Sequence, residues 1–378
     1  MRGVLSARRF WAILVKEFVQ MRRDRLTFAM IVGVPVLQLL LFGYAINADP
    51  KSLPTALVMG EASPFSRAFL AGIGNSGYFR LVGNPVDEAL ADAMLVRGEV
   101  QFVVTVPSDF SRRIARGEHP ALLVEADATD PAATSNALAA LSRIAETAAL
   151  RDLGGVLAGQ AARPPPFEVR IHRRYNPEGV TAYNVVPGLM GTILTMTMVI
   201  MTSLGMTRER ERGTMENLLA MPVRPAEVML GKIVPYILVG YIQVAVILLA
   251  ARFLFGVPML GSLWLLSLVL VAFIAANLSI GFTFSTVAAN QLQAMQMAFF
   301  FFLPSILLSG FMFPYRGMPH WAQILGEILP LTHFLRIVRG ILLKGSGWAE
   351  IAPEFWPLLA FVAVAMAVAL LRYRRTLD

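Results

Sequence analysis

The stretch Arg208–Lys232, RERERGTMENLLAMPVRPAEVMLGK, decides how the chain is read. It carries nine charged residues in twenty-five and is punctuated by Pro222 and Pro225. Uncharged runs flank it at 179–207 and 233–251. A segment this polar is expelled from hydrocarbon, whereas the flanking runs are long enough to cross it. The island therefore faces water between two membrane spans.

Composition agrees. Of 378 residues, 56% are hydrophobic and only 15% charged. The mean hydropathy is +0.61, too apolar for a single water-soluble core. The absence of cysteine excludes a disulfide framework and a thiolate metal site.

Outward on the N-terminal side, residues 1–25 hold seven Lys or Arg, with Phe10, Leu14, Phe18 and Met21 on one helical stripe. They predict a cytoplasmic amphipathic interfacial helix. Residues 26–48 are uncharged and predict transmembrane helix 1, a permanent anchor with no small-x-small cleavage site after it. Residues 49–181 have the composition of a soluble domain. Strand-like runs at 55–59, 78–82, 100–106, 121–124 and 167–171 alternate with helix-like segments at 64–73, 85–97, 109–116 and 134–157. That alternation predicts an α/β or α+β domain. It contains no glycine-rich phosphate loop, and Gly231-Lys232 lacks both the upstream glycine and the following hydroxyl of a P-loop.

On the C-terminal side, residues 182–378 predict a five-helix transmembrane domain with a cytoplasmic loop at 208–232 and an outer interfacial loop at 314–354. The uncharged run 253–315 is divided by the polar turn at Ala289–Gln293, and the last span is placed at 355–371. Trp321 and Trp348 suit interfacial anchors in the outer loop. The fold class expected is an α-helical polytopic membrane protein of six transmembrane helices, with an extracytoplasmic α/β domain inserted between helices 1 and 2.

Charge sets the orientation. With both termini cytoplasmic, segments 1–25, 208–232 and 372–378 hold fifteen Lys or Arg against seven Asp or Glu, so the chain's formal excess of +8 lies on one face. That is the positive-inside pattern of a multi-pass protein of the cell inner (cytoplasmic) membrane, with 49–181 outside the cytoplasm. The spans read this way contain no Asp, Glu, Lys, Arg or His, which argues against ion-coupled transport. The four histidines show no metal-binding spacing, and no nucleophile motif occurs, so the chain is not expected to be an enzyme.

The island's ERERGTMENLLAMPV, the following RPAEVMLGKIVPY and the late PLTHFLRIVRGILLKG, with the span order, resemble the permease subunits of ABC transporters of the type-2 (ABC-2) class over essentially the whole chain. The resemblance implies a half-transporter with no ATPase or metal of its own, ATP and Mg being held by a partner. The implied partners are two copies of an ABC ATPase subunit and a second permease, either a second copy or a related paralogue. Membrane lipids and envelope or periplasmic adaptor proteins are further partners, and nucleic acid is not one. It further implies that Glu209, Arg210, Glu211, Arg212, Gly213, Thr214, Glu216, Leu218 and Leu219 couple to the ATPase. Thr214 suits a helix N-cap, and Glu216 suits the positive end of that helix. By analogy with the class, Met190, Thr192, Thr195, Met198 and Thr202 of the second span and Phe299 and Phe302 of the fifth are candidate path lining. Such lining suits outward movement of amphiphilic or hydrophobic cargo, drug-like or lipid-linked. Two other functions stay open: an ABC-type mechanotransmission or envelope-regulatory complex that transports nothing, and an envelope receptor or scaffold without ATPase.

Overall fold

The computed structural model describes residues 50–130, 134–141, 143–145, 167–211 and 225–372. The helix expected at 1–25 and the span expected at 26–48 lie outside these residues.

The N-terminal part holds a five-stranded sheet in the order β2-β1-β3-β4-β5, from β1 (Leu53–Met59), β2 (Phe79–Leu81), β3 (Phe102–Val106), β4 (Ala121–Asp127) and β5 (Glu168–Arg174). Neighbours are parallel except β3 and β4. Helices α1 (Pro64–Asn75) and α2 (Glu88–Val96) fill the crossovers into β2 and β3, and α3 (Phe110–Ala115) lies between the antiparallel β3 and β4. Side-chain caps start α1 and α2. Ser63 accepts from Ser66 N at 3.1 Å while Ser66 Oγ accepts from Ser63 N at 2.9 Å, a reciprocal cap ahead of Pro64. Asp87 accepts from Leu90 N at 2.7 Å. The apolar run FVVTV makes β3 central: Phe102, Val104 and Val106 join Phe69, Phe110 and Leu122 on one face, while Val103 joins Ala56, Ala91 and Leu95 on the other.

Among the described residues, five helices are long and apolar enough to cross a membrane, with candidate spans at Thr181–Arg208, Tyr236–Phe253, Leu263–Val287, Gln291–Leu308 and Trp348–Ala369. They belong to α4 (Thr181–Glu211), α5 (Pro225–Phe253), α6 (Leu263–Val287), α7 (Gln291–Leu308) and α10 (Trp348–Arg372). Ser262 caps α6, and Asn290 caps α7 by accepting from Gln293 N at 2.9 Å, so the polar turn expected at Ala289–Gln293 is where the helices separate. Helix α6 is the hub, packing against α4, α5, α7 and α10. It meets α4 at Gly281, where a Cβ would lie 2.8 Å from Val199 O and 2.7 Å from Thr202 Cβ. Without a hydrophobic driving force between helices in lipid, such close backbone contact supplies the attraction.

Two features differ from the sequence expectation. The last helix begins at Trp348, not Phe355, which brings Glu350 and Glu354 into it. The segment 314–354, expected as an outer interfacial loop, is not a surface layer. It forms α8 (His320–Ile328) and α9 (Pro330–Arg339), and Leu331, Phe334, Leu335, Ile337 and Val338 of α9 are buried among α4, α6 and α10. The Phe334 ring stacks on Phe273 of α6 with centroids 4.0 Å apart. Helix α9 can enter because its His and Arg find carboxylate partners, described below. Trp321 and Trp348 remain exposed.

The sheet edge at which β1 and β3 begin and β4 ends sits on these helices. Lys344, at the end of a π-helical turn (Gly340–Lys344), donates to Asp127 Oδ2 at 2.5 Å and to Leu95 O at 3.2 Å, and Arg316 Nη2 donates to Gly98 O at 3.0 Å.

Two measurements check this packing. Gly281→Ala lowers stability by about 1–3 kcal/mol through overpacking, seen as an earlier melting transition in detergent, whereas Gly74→Ala, with nothing within 4 Å of its added Cβ, does not. Lys344→Met leaves Asp127 buried without a counter-charge and costs about 3–5 kcal/mol, whereas adding Asp127→Leu restores most of it.

Candidate functional site

Functional side chains gather at the two ends of the bundle. At the end bearing the polar island, Glu211 closes α4 and accepts from Gln291 N at 2.7 Å and from Gln291 Nε2. Arg208 Nε donates to Gln291 Oε1 at 3.4 Å. These hydrogen bonds to Gln291 hold the Glu211 carboxyl below its usual range. Gln291 is the first residue of α7, so the base of α4 is tied to the α6–α7 turn. The sequence reading placed Gln291 in the polar turn but gave it no role at this site, because a glutamine beside a turn carries no pattern of its own. Of the expected coupling residues, Arg212, Gly213, Thr214, Glu216, Leu218 and Leu219 lie outside the described residues, as do the side chains of Glu209 and Arg210. Glu211 is already engaged within the chain.

Along the bundle, the candidate path residues separate into two groups. Met190, Thr192, Thr195, Met198 and Thr202 lie on the enclosed face of α4. Thr202 Oγ1 donates to Met198 O at 2.8 Å and Thr192 Oγ1 to Leu189 O at 3.1 Å, so their hydroxyls serve their own helix. Phe299 of α7 is exposed and Phe302 is half-buried. The open face of α4 presents Leu189, Ile193 and Met201 instead. Helix period alone could not separate the two faces, because both are apolar.

At the opposite end, α8, α9 and α10 build a closed charge cluster. His333 Nδ1 lies 2.6 Å from Glu354 Oε2 and Nε2 lies 2.8 Å from Glu327 O. Both neighbours are acceptors, so both ring nitrogens donate and the geometry selects the imidazolium. Arg336 bridges the carboxylates, with Nη1 3.0 Å from Glu354 Oε1 and Nη2 2.6 Å from Glu327 Oε1. Its guanidinium lies over the Tyr315 ring at 4.5 Å, and Tyr315 Oη is 2.7 Å from Glu327 Oε1.

Burial works against the charged form of His333, but Glu354 and the Glu327 carbonyl outweigh it and the imidazole titrates above its ordinary value. Burial likewise favours a neutral Glu327, yet Arg336 holds that carboxyl below its usual range. Burial and the adjoining Glu327 both push the Tyr315 phenol up. Glu327, His333 and Glu354 place three ligand atoms within 4.8 Å of one another, a spacing that could hold a metal ion. A divalent cation there would have to displace Arg336 from both carboxylates. As built, the cluster joins three helices by matched charge. The sequence reading missed it because His333 and Glu354 are 21 residues apart, on different helices.

Comparison with known proteins bears on the whole chain. Residues 25–371 match the family described as ABC-2 family transporter protein. The chain is 29% identical to the "Probable multidrug ABC transporter permease YbhS" of Escherichia coli (strain K12), over 99% of this chain and 99% of that protein. It is 30% identical to the "Inner membrane transport permease YhhJ" of the same organism over 76% of each chain. It is 21% identical to the "Linearmycin resistance permease protein LnrN" of Bacillus subtilis (strain 168), over 91% of this chain and 93% of that one.

The charge cluster sets a pH window. A His with a raised folded value contributes stability that is full below its unfolded pKa of about 6.5 and is lost as pH rises through the folded value. Glu327, with a lowered folded value, contributes stability that is present above about pH 4.3 and lost as pH falls through the folded value. The melting temperature of the purified protein is therefore expected to be highest between these limits. His333→Gln removes the alkaline decline and lowers stability by about 1.5–3 kcal/mol at pH 6, the worth of a charged hydrogen bond. A parent profile flat from pH 6 to 9 would contradict the imidazolium.

Proposed function

The chain belongs to the ABC-2 transporter family, and from that premise we propose that it is the membrane-spanning permease subunit of an ATP-driven exporter whose ATPase is a separate chain. The observation that carries this reading is the similarity to a multidrug permease over 99% of both chains. The cargo proposed is amphiphilic or hydrophobic, drug-like or lipid-linked, and it moves outward. The open apolar faces of α4 and α7, with Ile193, Met201 and Phe299, suit such cargo or a second permease packed against them.

In this reading the first span at 26–48 completes a set of six, both termini are cytoplasmic, and residues 49–181 lie outside. The segment 208–232 docks on the ATPase. The link from Arg208 and Glu211 to Gln291 supports that role, because a push on the island reaches the α6–α7 turn through three hydrogen bonds. The bound sheet edge favours a second reading, mechanotransmission. The Lys344–Asp127 bridge and the Arg316–Gly98 bond would carry helix motion into the outer domain.

Affinity purification of the full-length chain with its chromosomal neighbours is expected to recover an ATPase subunit. In proteoliposomes, amphiphilic drugs stimulate its hydrolysis and accumulate on the far side. Glu216→Arg reduces that stimulation about tenfold while membrane insertion is unchanged. Recovery without any ATPase removes the transporter reading, and hydrolysis without cargo movement selects mechanotransmission.

A further inference from the structure

The two edges of the five-stranded sheet are unlike. At one edge β2 is only three residues long and offers little to pair with. At the other, β5 runs for seven residues and matches β4 one for one, from Ala121↔Glu168 to Asp127↔Arg174. Short strands, prolines and bulges are the means by which sheets close their edges, and β5 has none of them. Its far side has no strand partner among the described residues.

The register shows which backbone groups are free. Glu168 N donates to Pro120 O at 3.0 Å, and Arg174 O accepts from Ala128 N at 3.2 Å, so Glu168, Arg170, His172 and Arg174 turn their backbone groups to β4. In a ladder the alternate residues point the other way. Val169, Ile171 and Arg173 therefore direct N–H and C=O away from the sheet. Every residue of β5 is exposed or half-buried, which leaves that edge open to a partner.

Charge selects the partner. The strand reads EVRIHRR, three arginines and a histidine against one glutamate. Arg174 is held by Asp92, and His172 lies 3.5 Å from Glu125. Arg170 meets Glu168 in an exposed pair of little strength, and Arg173 is exposed with no ion pair among the described residues. A second copy of β5 laid along the first would gather six arginines against two glutamates in one seam, and like charges across a strand pair destabilise it. An acidic strand meets the same side chains favourably.

We propose that the free edge of β5 is a docking strand for an extended, Asp- or Glu-rich segment of another protein, which adds to the sheet as a sixth strand. Val169, Ile171 and Arg173 supply three N–H donors and three C=O acceptors to its backbone, and Arg170 and Arg173 pair with its carboxylates. The edge belongs to the folded sheet, so it serves this role whether the chain exports drugs or transmits force.

The test uses the full-length protein in detergent and a fluorescent peptide of alternating Thr and Glu. Its Thr–Lys counterpart and a Thr–Glu peptide interrupted by proline are the controls. The Thr–Glu peptide is expected to bind saturably, at least tenfold more tightly than either control, and to weaken with added salt. Amide hydrogen exchange then slows at Val169, Ile171 and Arg173 and is unchanged at Arg170 and His172, which already bond to β4. Arg173→Glu lowers the affinity at least tenfold. Ile171→Pro abolishes binding while the melting temperature stays near that of the parent, because the N–H it removes does not serve the sheet. If Ile171→Pro does not accumulate, Arg173→Glu and the exchange pattern decide. Equal binding of the Thr–Lys peptide, or no slowing at the three outward amides, would overturn the proposal. Self-association without peptide that Ile171→Pro abolishes would give the edge to a second copy and overturn it as well.

Discussion

The buried ion pair between Lys344 and Asp127 is the joint on which the two halves of the molecule depend. Both side chains are almost fully enclosed, at 8% and 9% exposure, so each charge needs the other. Their remaining valences are also met. Lys344 reaches Leu95 O and lies over the Tyr175 ring at 5.2 Å, while Asp127 Oδ1 accepts from Thr129 N and Thr129 Oγ1. A satisfied pair of this kind specifies one seating of the sheet on the helices. Any sliding would leave two charges in a medium that cannot solvate them.

The same rule explains the helices beneath. Helix α9 enters the bundle with His333 and Arg336, and α10 brings Glu354 to meet them. Apolar contact then completes the seating through Phe334 on Phe273, and close backbone approach at Gly281 fixes α6 against α4. Shape and charge divide the labour: small residues set how near the helices come, and matched charges set which stretch of loop is admitted. Arg316 and Arg339 depart from this pattern of matching, each donating to a backbone carbonyl, of Gly98 and Gly310 respectively.

Much of the architecture was legible in the residues. All five strands fall where β-branched and apolar runs stood between turn residues, and the division between α6 and α7 falls at the polar turn beside Asn290. Less legible were faces and partners. Met190, Thr195 and Met198 sit on the enclosed face of α4 and Ile193 and Met201 on the open one, yet in lipid both faces are apolar and composition does not distinguish them. The N-terminal boundary of α10 also escaped, because Glu350 and Glu354 argue for a loop until their partners are known.

The sequence by itself determined the class: a multi-pass membrane chain with an α/β region in its N-terminal part, a polar island between two apolar runs, and motifs that mark the ABC-2 family. Hydrophobic length and charge asymmetry are local or additive properties, so they can be read along the chain. Only the tertiary structure decided that Lys344 meets Asp127 across 217 residues, that His333 meets Glu354 across 21, and that Glu211 ties to Gln291 across 80. Each depends on the distance between side chains of separate elements, and a buried charge takes its character from the neighbour that folding supplies.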